Sequence, residues 1–240
     1  MSQTIRIAMW SGPRNISTAM MRAWENRADC AVIDEPFYGA YLAASGREDP
    51  MRAEILAAME TDWDRVAAAC QAEGPPILYQ KHITTHMLPE APTGWLGACR
   101  HGFLIRPPGE VAASFAAKVE TLGVEDLGFL QQARLFDRVC EAQGAPPPVV
   151  EARDLLAAPE AMLRKLCAAL GVGFDPAMLA WPSGGRASDG VWAAHWYASV
   201  EASTGFAPPK PAAPLDPALT PLVEACLPAY ERLAAHRLRP

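Results

Sequence analysis

Short apolar segments alternate with helical patterns along most of this chain, and that alternation limits the folds it can adopt. Five such segments, bounded by polar residues, Gly or Pro, predict buried strands at residues 5–10, 31–34, 77–80, 102–106 and 149–152. The patterns between them predict helices at 17–27, 51–73, 109–120, 126–143, 159–170 and 215–236. Continuously apolar strands separated by helices favour a parallel sheet covered on both faces. We therefore predict an α/β three-layer sandwich with a mainly parallel, roughly five-stranded sheet.

Two stretches break the alternation, and both point to a functional site. Residues 81–100 have no clear periodicity, and a loop of that length in a compact domain is usually functional or disordered. Residues 171–216 are rich in Pro, Gly, Ser and Trp, which predicts a flap over a site. With 240 residues, half of them hydrophobic, we expect one domain spanning 1–240.

Charge and composition limit the partners of the chain. A formal net charge of −6 argues against binding nucleic acid, although a local basic pocket can still hold a small anion. No apolar run approaches the roughly 20 residues that cross a bilayer, and the first residues do not resemble a secretory signal, so we expect a cytoplasmic protein without membrane contact. The six cysteines are scattered, without CxxC pairs or histidines at ligand spacing, so we expect no metal site.

The turn after the first strand predicts a phosphate site. It reads Ser-Gly-Pro-Arg-Asn-Ile-Ser-Thr over residues 11–18 and leads into a helix. The N-terminus of a helix offers unpaired N–H groups, Arg14 adds a forked cation, and Ser17 and Thr18 add hydroxyl donors. An ordinary strand-to-helix turn would look similar, and the Gly-Lys-Ser/Thr ending of a Walker A loop is absent.

This segment resembles the 5′-phosphosulfate loop of sulfotransferases, Pro-Lys/Arg-Ser-Gly-Thr-Thr. In that alignment Arg14 takes the basic position, and Ser17 and Thr18 take the two hydroxyl positions. Asn15 and Ile16 replace the Ser-Gly pair. Ile16 is β-branched and tolerates fewer backbone conformations than glycine.

A second segment, residues 106–114, resembles the family's 3′-phosphate motif, Arg-Asp-Pro-Arg-Glu/Asp-Val-x-x-Ser. Arg106 at the strand end and Ser114 on the following helix match, and both side chains can donate hydrogen bonds to phosphate. Pro107 and Gly109 replace the usual Asp and second Arg. The contacts of those two residues are therefore lost.

A third segment, residues 185–196, resembles the family's late Arg-Lys-Gly-x-x-Gly-Asp-Trp element, which closes over the nucleotide. In that alignment Arg186 touches the 3′-phosphate and Trp192 anchors the flap. Packing of a loop onto the core would explain Trp192 and Trp196 equally well.

The three matches follow the family's order along the chain, and the resemblance implies a P-loop nucleoside triphosphate hydrolase-like fold. It also implies transfer of a sulfuryl group from 3′-phosphoadenosine 5′-phosphosulfate to a hydroxyl or amine of a small-molecule acceptor, with no obligatory metal. The nucleotide-binding residues that it implies are Gly12, Pro13, Arg14, Asn15, Ile16, Ser17, Thr18, Arg106, Ser114 and Arg186.

Sulfuryl transfer needs a group that takes the acceptor's proton and positive charge on the departing phosphate. Glu35 follows the second strand and is expected at the same sheet edge as Arg14, where carboxylates are often tuned for proton transfer. Its Glu-Pro-Phe context is similar to the Glu-Pro-Leu of some carbohydrate-type sulfotransferases, where the glutamate is a proposed base. Histidine is the alternative, because the segment from Lys81 to Pro89 resembles the Lys-Thr-His-Leu-Pro element of cytosolic sulfotransferases. Either His82 or His86 fits, and Lys81 could contact the transferring group.

Two other functions stay open at this point. A P-loop kinase would use ATP and Mg²⁺, with Asp34 holding the metal or activating the acceptor, although the Gly-Lys pair is missing. The chain could also be a catalytically inactive nucleotide-binding or scaffold domain, in which Ile16 and Pro107 have abolished catalysis but left nucleotide binding intact. The acceptor and the oligomeric state cannot be predicted from the sequence.

Overall fold

A computed structural model describes residues 3–119, 121–209, 211 and 214–240, and its centre is one five-stranded sheet. Every strand pair is parallel, and the spatial order is β2-β3-β1-β4-β5. The strands are β1 (Ile5–Ser11), β2 (Cys30–Asp34), β3 (Ile77–Ile83), β4 (Arg100–Ile105) and β5 (Val149–Glu151). Because all strands run the same way, their carboxyl ends meet at one edge, where ligands of open α/β sheets bind.

Helices cover both faces of the sheet, which makes the three layers. The helices are α1 (Ser17–Glu25), α2 (Tyr38–Ser45), α3 (Arg52–Ala58), α4 (Trp63–Ala69), α5 (Pro108–Ala116), α6 (Phe129–Gln143), α7 (Ala152–Ala157), α8 (Pro159–Ala169), α9 (Ala193–Trp196), α10 (Ala198–Glu201) and α11 (Thr220–Ala234). Short 3₁₀ turns occur at Thr84–His86, Gly94–Ala98, Glu125–Leu127, Pro176–Leu179 and Pro217–Leu219.

Alternating residues of the strands belong to different cores. Ile7 and Met9 of β1 pack with α1 and α8 on one face, whereas Ala8 and Trp10 pack with α4, α6 and α11 on the other. Successive side chains of a strand point to opposite faces, so this alternation is the expected result of a strand buried on both sides. The predicted α/β sandwich with a parallel sheet is confirmed.

The boundaries of several elements differ from the prediction. β3 runs three residues beyond its predicted end and takes in positions 81–83. The single helix predicted at 51–73 is two short helices, α3 and α4, because Asp62 accepts a hydrogen bond from the Arg65 N–H and starts a new helix. The helix predicted at 215–236 begins at Thr220 and continues through Pro228 to Ala234. α2 was not predicted.

The predicted flap has little regular structure. Its described residues contain the turns α9 and α10 and the 3₁₀ turn at Pro176–Leu179. Lys210, Ala212 and Ala213, which fall within the predicted flap, and Glu120, the predicted end of the third helix, lie outside the described residues. In the part of the chain that the structure describes, no helix has both the length and the apolar character needed to cross a membrane.

Candidate active site

A cavity of about 1130 Å³ lies at the carboxyl edge of the sheet. Each strand contributes to its wall, either by its last residues or by those that follow it. The contributors are Arg14 after β1, Glu35 after β2, Lys81 and Ile83 in β3, Arg106 after β4 and Ala152 after β5. The flap closes another side through Trp192, Trp196 and Tyr197.

The turn between β1 and α1 has an unusual backbone. Arg14 and Ile16 both lie in the left-handed region, with φ of 62° and 55°. Such a conformation costs a residue with a Cβ roughly 1–2 kcal/mol, so the surrounding structure must hold it. Ile16 therefore adopts the kind of conformation that glycine takes easily, and its side chain packs against the core beside α1.

Gly12 and Asn15 brace this turn. The Asn15 amide donates to the Gly12 carbonyl over 3.0 Å, and a Cβ added to Gly12 would lie 2.8 Å from the Leu127 carbonyl oxygen. Gly12 thus permits close contact with the 3₁₀ turn before α6 and does not line the cavity. No side chain caps α1 within the described residues, and Ser17 and Thr18 of its first turn line the cavity.

Arg14, Arg106 and Ser114 meet at one end of the cavity, which we call the arginine end. Arg14 Nε donates to Ser114 Oγ over 3.1 Å, and Arg106 Nη1 donates to the Arg14 carbonyl over 3.0 Å. Burial and, to a smaller degree, the nearby Arg106 charge lower the pKa of Arg14. Among the described residues Arg14 pairs with no carboxylate. The charge of Arg14 therefore lies beside another cation without a carboxylate among these residues to offset it, and an anion would neutralise it.

Glu110 links two arginines at this end. One carboxylate oxygen accepts from Arg106 Nε over 2.9 Å, and the other accepts from Arg153 Nε. Arg153 follows β5 and lines the cavity, so it is a third cation near the arginine end. Sequence reasoning missed it, although its position directly after a parallel strand was the available signal.

Asp34, Glu35 and Lys81 form a buried cluster across the cavity, which we call the carboxylate end. Asp34 of β2 lies directly opposite Lys81 of β3 in the register of the sheet, and Lys81 Nζ donates to Asp34 Oδ1 over 2.8 Å. Lys81 also donates to Glu35 Oε1 and, over 2.7 Å, to the hydroxyl of Tyr197. Glu35 has a φ of 45° and donates its backbone N–H to the Lys81 carbonyl, which holds it at the end of β2.

The ammonium of Lys81 is fully engaged. It has three N–H donors, and three acceptors take them. Burial would lower the pKa of Lys81, but the carboxylates of Asp34 and Glu35 outweigh burial and raise it well above its ordinary value. The side chain therefore stays charged and holds Glu35. The predicted contact of Lys81 with a transferring group would require one of these bonds to break.

His82 does not reach the cavity, which corrects one of the sequence expectations. It follows Lys81 in β3, so its side chain points to the opposite face of the sheet. There it stacks on Trp10 at 4.3 Å between ring centroids, and its Nε2 lies 3.1 Å from Gln80 Oε1. A buried imidazole in an aromatic core cannot meet an acceptor in the cavity.

His86, the other histidine candidate, does line the cavity. It stacks on Tyr38 at 4.3 Å, and its Nδ1 lies 3.8 Å from Glu35 Oε2, beyond hydrogen-bond distance. Burial lowers the pKa of His86 to about 3, so the ring is neutral at pH 7. Its Nδ1 lone pair faces Glu35, but so low a pKa makes the ring a weak base at pH 7.

Arg186 also lies away from the cavity, contrary to the role expected from the late motif. Its guanidinium donates to the Pro182 carbonyl over 2.7 Å and lies 3.7 Å from Glu25. The flap is instead tied to α1 by a bidentate pair between Arg22 and Asp189, at 2.6 and 2.7 Å.

Two groups at the carboxylate end were missed in the sequence or given another role. Asp34 was considered only in the role of a kinase residue that holds the metal or activates the acceptor, yet its side chain binds Lys81 and the Tyr197 hydroxyl, the latter over 2.7 Å. Tyr197 lies far along the chain in the irregular flap, and no local pattern marks it.

A family model matches nearly the whole chain. The family model described as "Sulfotransferase domain" matches residues 5–237. Two curated proteins of Arabidopsis thaliana, "Branched-chain-amino-acid aminotransferase-like protein 2" and "protein 1", are 35% and 36% identical over 96% of this chain. The chain spans only 41% and 42% of the lengths of these relatives.

Three solved structures with the same fold are described as sulfotransferases or sulfotransferase domains. A sulfotransferase from Alicyclobacillus acidocaldarius gives a TM-score of 0.57 at 14% identity, covering 98% of this chain and 96% of that one. The sulfotransferase domain of the curacin biosynthetic pathway gives a TM-score of 0.51 at 14% identity, covering 94% of this chain and 98% of that one. The sulfotransferase domain of the Synechococcus PCC 7002 olefin synthase gives a TM-score of 0.50 at 16% identity, covering 92% of this chain and 94% of that one.

Proposed function

Because the chain belongs to the sulfotransferase domain family, we propose that it moves a sulfuryl group from 3′-phosphoadenosine 5′-phosphosulfate to a hydroxyl or amine of a small molecule. The observation that carries this proposal is the arginine end, where Arg14 and Arg106 lie together beside the start of α1. The names of the curated relatives do not transfer to this chain, because the match covers less than half of each.

The residues at the arginine end fit a phosphate group. Arg14 is partly desolvated and lies next to another cation, so a bound anion would remove an unfavourable contact. Ser114 Oγ accepts from Arg14 and keeps its own hydroxyl hydrogen for a ligand. The uncapped first turn of α1 adds N–H donors and the positive end of a helix dipole.

In the proposed reaction the acceptor oxygen or nitrogen forms a bond to sulfur while the bond between sulfur and the phosphate oxygen breaks. Glu35 takes the proton from the acceptor at Oε2, because Lys81 occupies Oε1. Arg14 and Arg106 stabilise the negative charge that develops on the departing phosphate. His86 is the second candidate for the proton, since its Nδ1 has no hydrogen-bond partner in the described part of the chain.

Nucleotide selectivity tests the first part of the proposal, that the cavity binds the nucleotide of the sulfuryl donor. At 100 times its dissociation constant, 3′-phosphoadenosine 5′-phosphate should raise the melting temperature by roughly 5 to 10 °C through mass action. ATP with Mg²⁺ at the same concentration should raise it less. A stronger response to ATP and Mg²⁺ would contradict a sulfotransferase site and favour a kinase.

Turnover tests the second half. The protein is incubated with the sulfated nucleotide and a library of alcohols, phenols and amines, and release of the bisphosphate nucleotide is followed together with the mass of each product. We expect at least one acceptor to gain a sulfuryl group. Tight nucleotide binding without any transfer would instead support an inactive nucleotide-binding domain.

A further inference from the structure

Tyr197 connects the flap to the carboxylate end through a single hydroxyl. That oxygen donates to Asp34 Oδ2 over 2.7 Å, and it accepts from Lys81 Nζ over 2.7 Å and from Trp192 Nε1 over 3.1 Å. The side chain is buried, at 4% exposure. A hydroxyl has one hydrogen and two lone pairs, so these three bonds use its full capacity. The bonds to Asp34 and Lys81 join the flap to the sheet and therefore depend on the position of the flap.

The flap is held over this end by further contacts. Asp34 Oδ2 also accepts from the backbone N–H of Gly190, over 3.2 Å. Asp189 forms the bidentate pair with Arg22 of α1, and both side chains are buried. Residues 189–197 are therefore anchored to α1 and to β2, and Tyr197 is the part of this segment that touches the ammonium of Lys81.

Removal of the Tyr197 hydroxyl has a predictable effect on Lys81. One N–H of the ammonium would lose its acceptor inside the protein, and leaving such a donor unpaired is costly. Asp34 Oδ2 would lose its phenol donor at the same time and would become the nearest replacement acceptor. Lys81 would turn toward Asp34, and its bond to Glu35 would weaken.

We propose that Tyr197 is a positioning residue for sulfuryl transfer, and that docking of the flap holds Lys81 against Glu35 through its hydroxyl. This inference rests on the proposed function and on Glu35 as the base. Tyr197 does not touch the reacting atoms in this scheme. Its role is to keep the ammonium of Lys81 bonded to Glu35. The protonation of Glu35, and so its capacity to act as a base, then depends on the position of the flap.

Charged or titratable groups from several elements surround the cluster of Lys81, Asp34 and Glu35. Tyr197 of the flap contacts Lys81, Arg22 of α1 interacts with Asp34, and His86 of the 3₁₀ turn after β3 lies near Glu35. Weaker contact with Lys81 makes protonation of Glu35 easier. The rate should then fall at a higher pH on the acid side of the profile.

The test is Tyr197→Phe, which keeps the ring and removes one oxygen. We expect kcat to fall about tenfold, the KM of the sulfated nucleotide to change less than about twofold, and the acid-side midpoint of the pH–rate profile to move up by about half a unit or more. Tyr230→Phe is the matched control, because it removes a phenol-to-carboxylate bond of 3.0 Å to Glu151 outside the cavity. It should leave the midpoint unchanged.

A second variant separates flap docking from the hydroxyl itself. Asp189→Asn weakens the pair with Arg22 and removes no group that contacts Lys81. It should move the midpoint in the same direction. A loss of rate in Tyr197→Phe that is uniform with pH would show a merely structural role and overturn the inference, as would an unchanged rate.

A measurement without turnover distinguishes failure of this inference from failure of the proposed function. The side-chain carboxyl of Glu35 is followed by ¹³C NMR over a pH titration in the wild type, Tyr197→Phe and Tyr230→Phe. We expect its titration to move up only in Tyr197→Phe. A protein that transfers no sulfuryl group would refute the function, whereas identical titrations in all three proteins would refute the role of Tyr197.

Discussion

The two ends of the cavity satisfy their charges in different ways. At the arginine end Arg14 lies beside Arg106 and pairs with no carboxylate in the described residues, so its neutralisation is left to a ligand. At the carboxylate end Lys81 is bonded to Asp34, Glu35 and the Tyr197 hydroxyl. The arginine end has a cation that a bound anion would neutralise, whereas the charges of the carboxylate end neutralise one another within the protein. Binding and chemistry should therefore respond to different substitutions.

The largest expected effect is on the chemistry alone. Glu35→Gln should lower kcat roughly 100-fold or more and leave affinity for the bisphosphate nucleotide nearly unchanged, because the amide oxygen can still accept from Lys81 but cannot take a proton. Single-turnover assays and nucleotide titrations measure the two quantities. Glu160→Gln on the exposed surface of α8 is the control. An unchanged rate would transfer the role of base to His86.

The next effect is on binding. Arg14→Ala should weaken binding of the bisphosphate nucleotide by about 1.5 to 3 kcal/mol, the usual worth of a hydrogen bond to a charged group. Isothermal titration gives the affinity, and the solvent-exposed Arg65→Ala serves as the matched arginine deletion. Equal affinities of the two variants for the bisphosphate nucleotide would contradict the assignment of nucleotide binding to the arginine end.

A backbone change should disturb the arginine end without removing any charge. Gly12→Ala brings a methyl group to 2.8 Å from the Leu127 carbonyl, which should cost about 1 to 3 kcal/mol of unfolding free energy and shift the turn that carries Arg14. Gly74→Ala is the control, since no atom lies within 4 Å of the added Cβ. Urea unfolding and nucleotide affinity measure the two consequences. Full stability and affinity in Gly12→Ala would contradict the close contact.

Acid pH should lower the unfolding free energy of the protein through His86 at the carboxylate end. In the folded protein the pKa of His86 is lowered to about 3, whereas an unfolded histidine titrates near 6.5. Below pH 6.5 the unfolded chain binds the extra proton, so the stabilisation present at pH 7 is lost as the pH falls. Between pH 7 and pH 5, His86→Phe should reduce the loss of unfolding free energy by about 2 kcal/mol relative to the wild type.

Chemical denaturation at both pH values gives this difference. His236→Phe replaces a histidine that does not line the cavity and serves as the comparison. If both variants lose the same unfolding free energy as the wild type, His86 is not held neutral by its surroundings.

The sequence predicted the sheet and the arginine end well for the same physical reason. Buried parallel strands are continuously apolar, so their ends could be located, and Arg14, Arg106 and Ser114 follow from those ends. The roles of these residues in binding remain predictions. Their convergence required only that β1 and β4 be neighbours, which a parallel sheet of this kind provides.

The parts that could not be predicted depend on long-range packing or on where a strand ends. Arg186 was assigned to phosphate from a local motif, but the position of the flap is set by Arg22, 167 residues away from Asp189 in sequence. Ile16 adopts a left-handed backbone that its own preferences disfavour, and packing against the core compensates. His82 was considered a loop residue because the strand pattern ended at Gln80.

The extension of β3 makes the spacing of this strand decisive for the chemistry of the cavity. Deletion or insertion of one residue between Ile77 and Lys81 would turn Lys81 and His82 to the opposite faces of the sheet. An insertion would place the Lys81 ammonium where His82 now stacks on Trp10, and a deletion would place the His82 imidazole beside Asp34 and Glu35. This strand therefore tolerates changes of side chain far better than changes of length, and insertions in engineered or natural variants should be found in the loops around it.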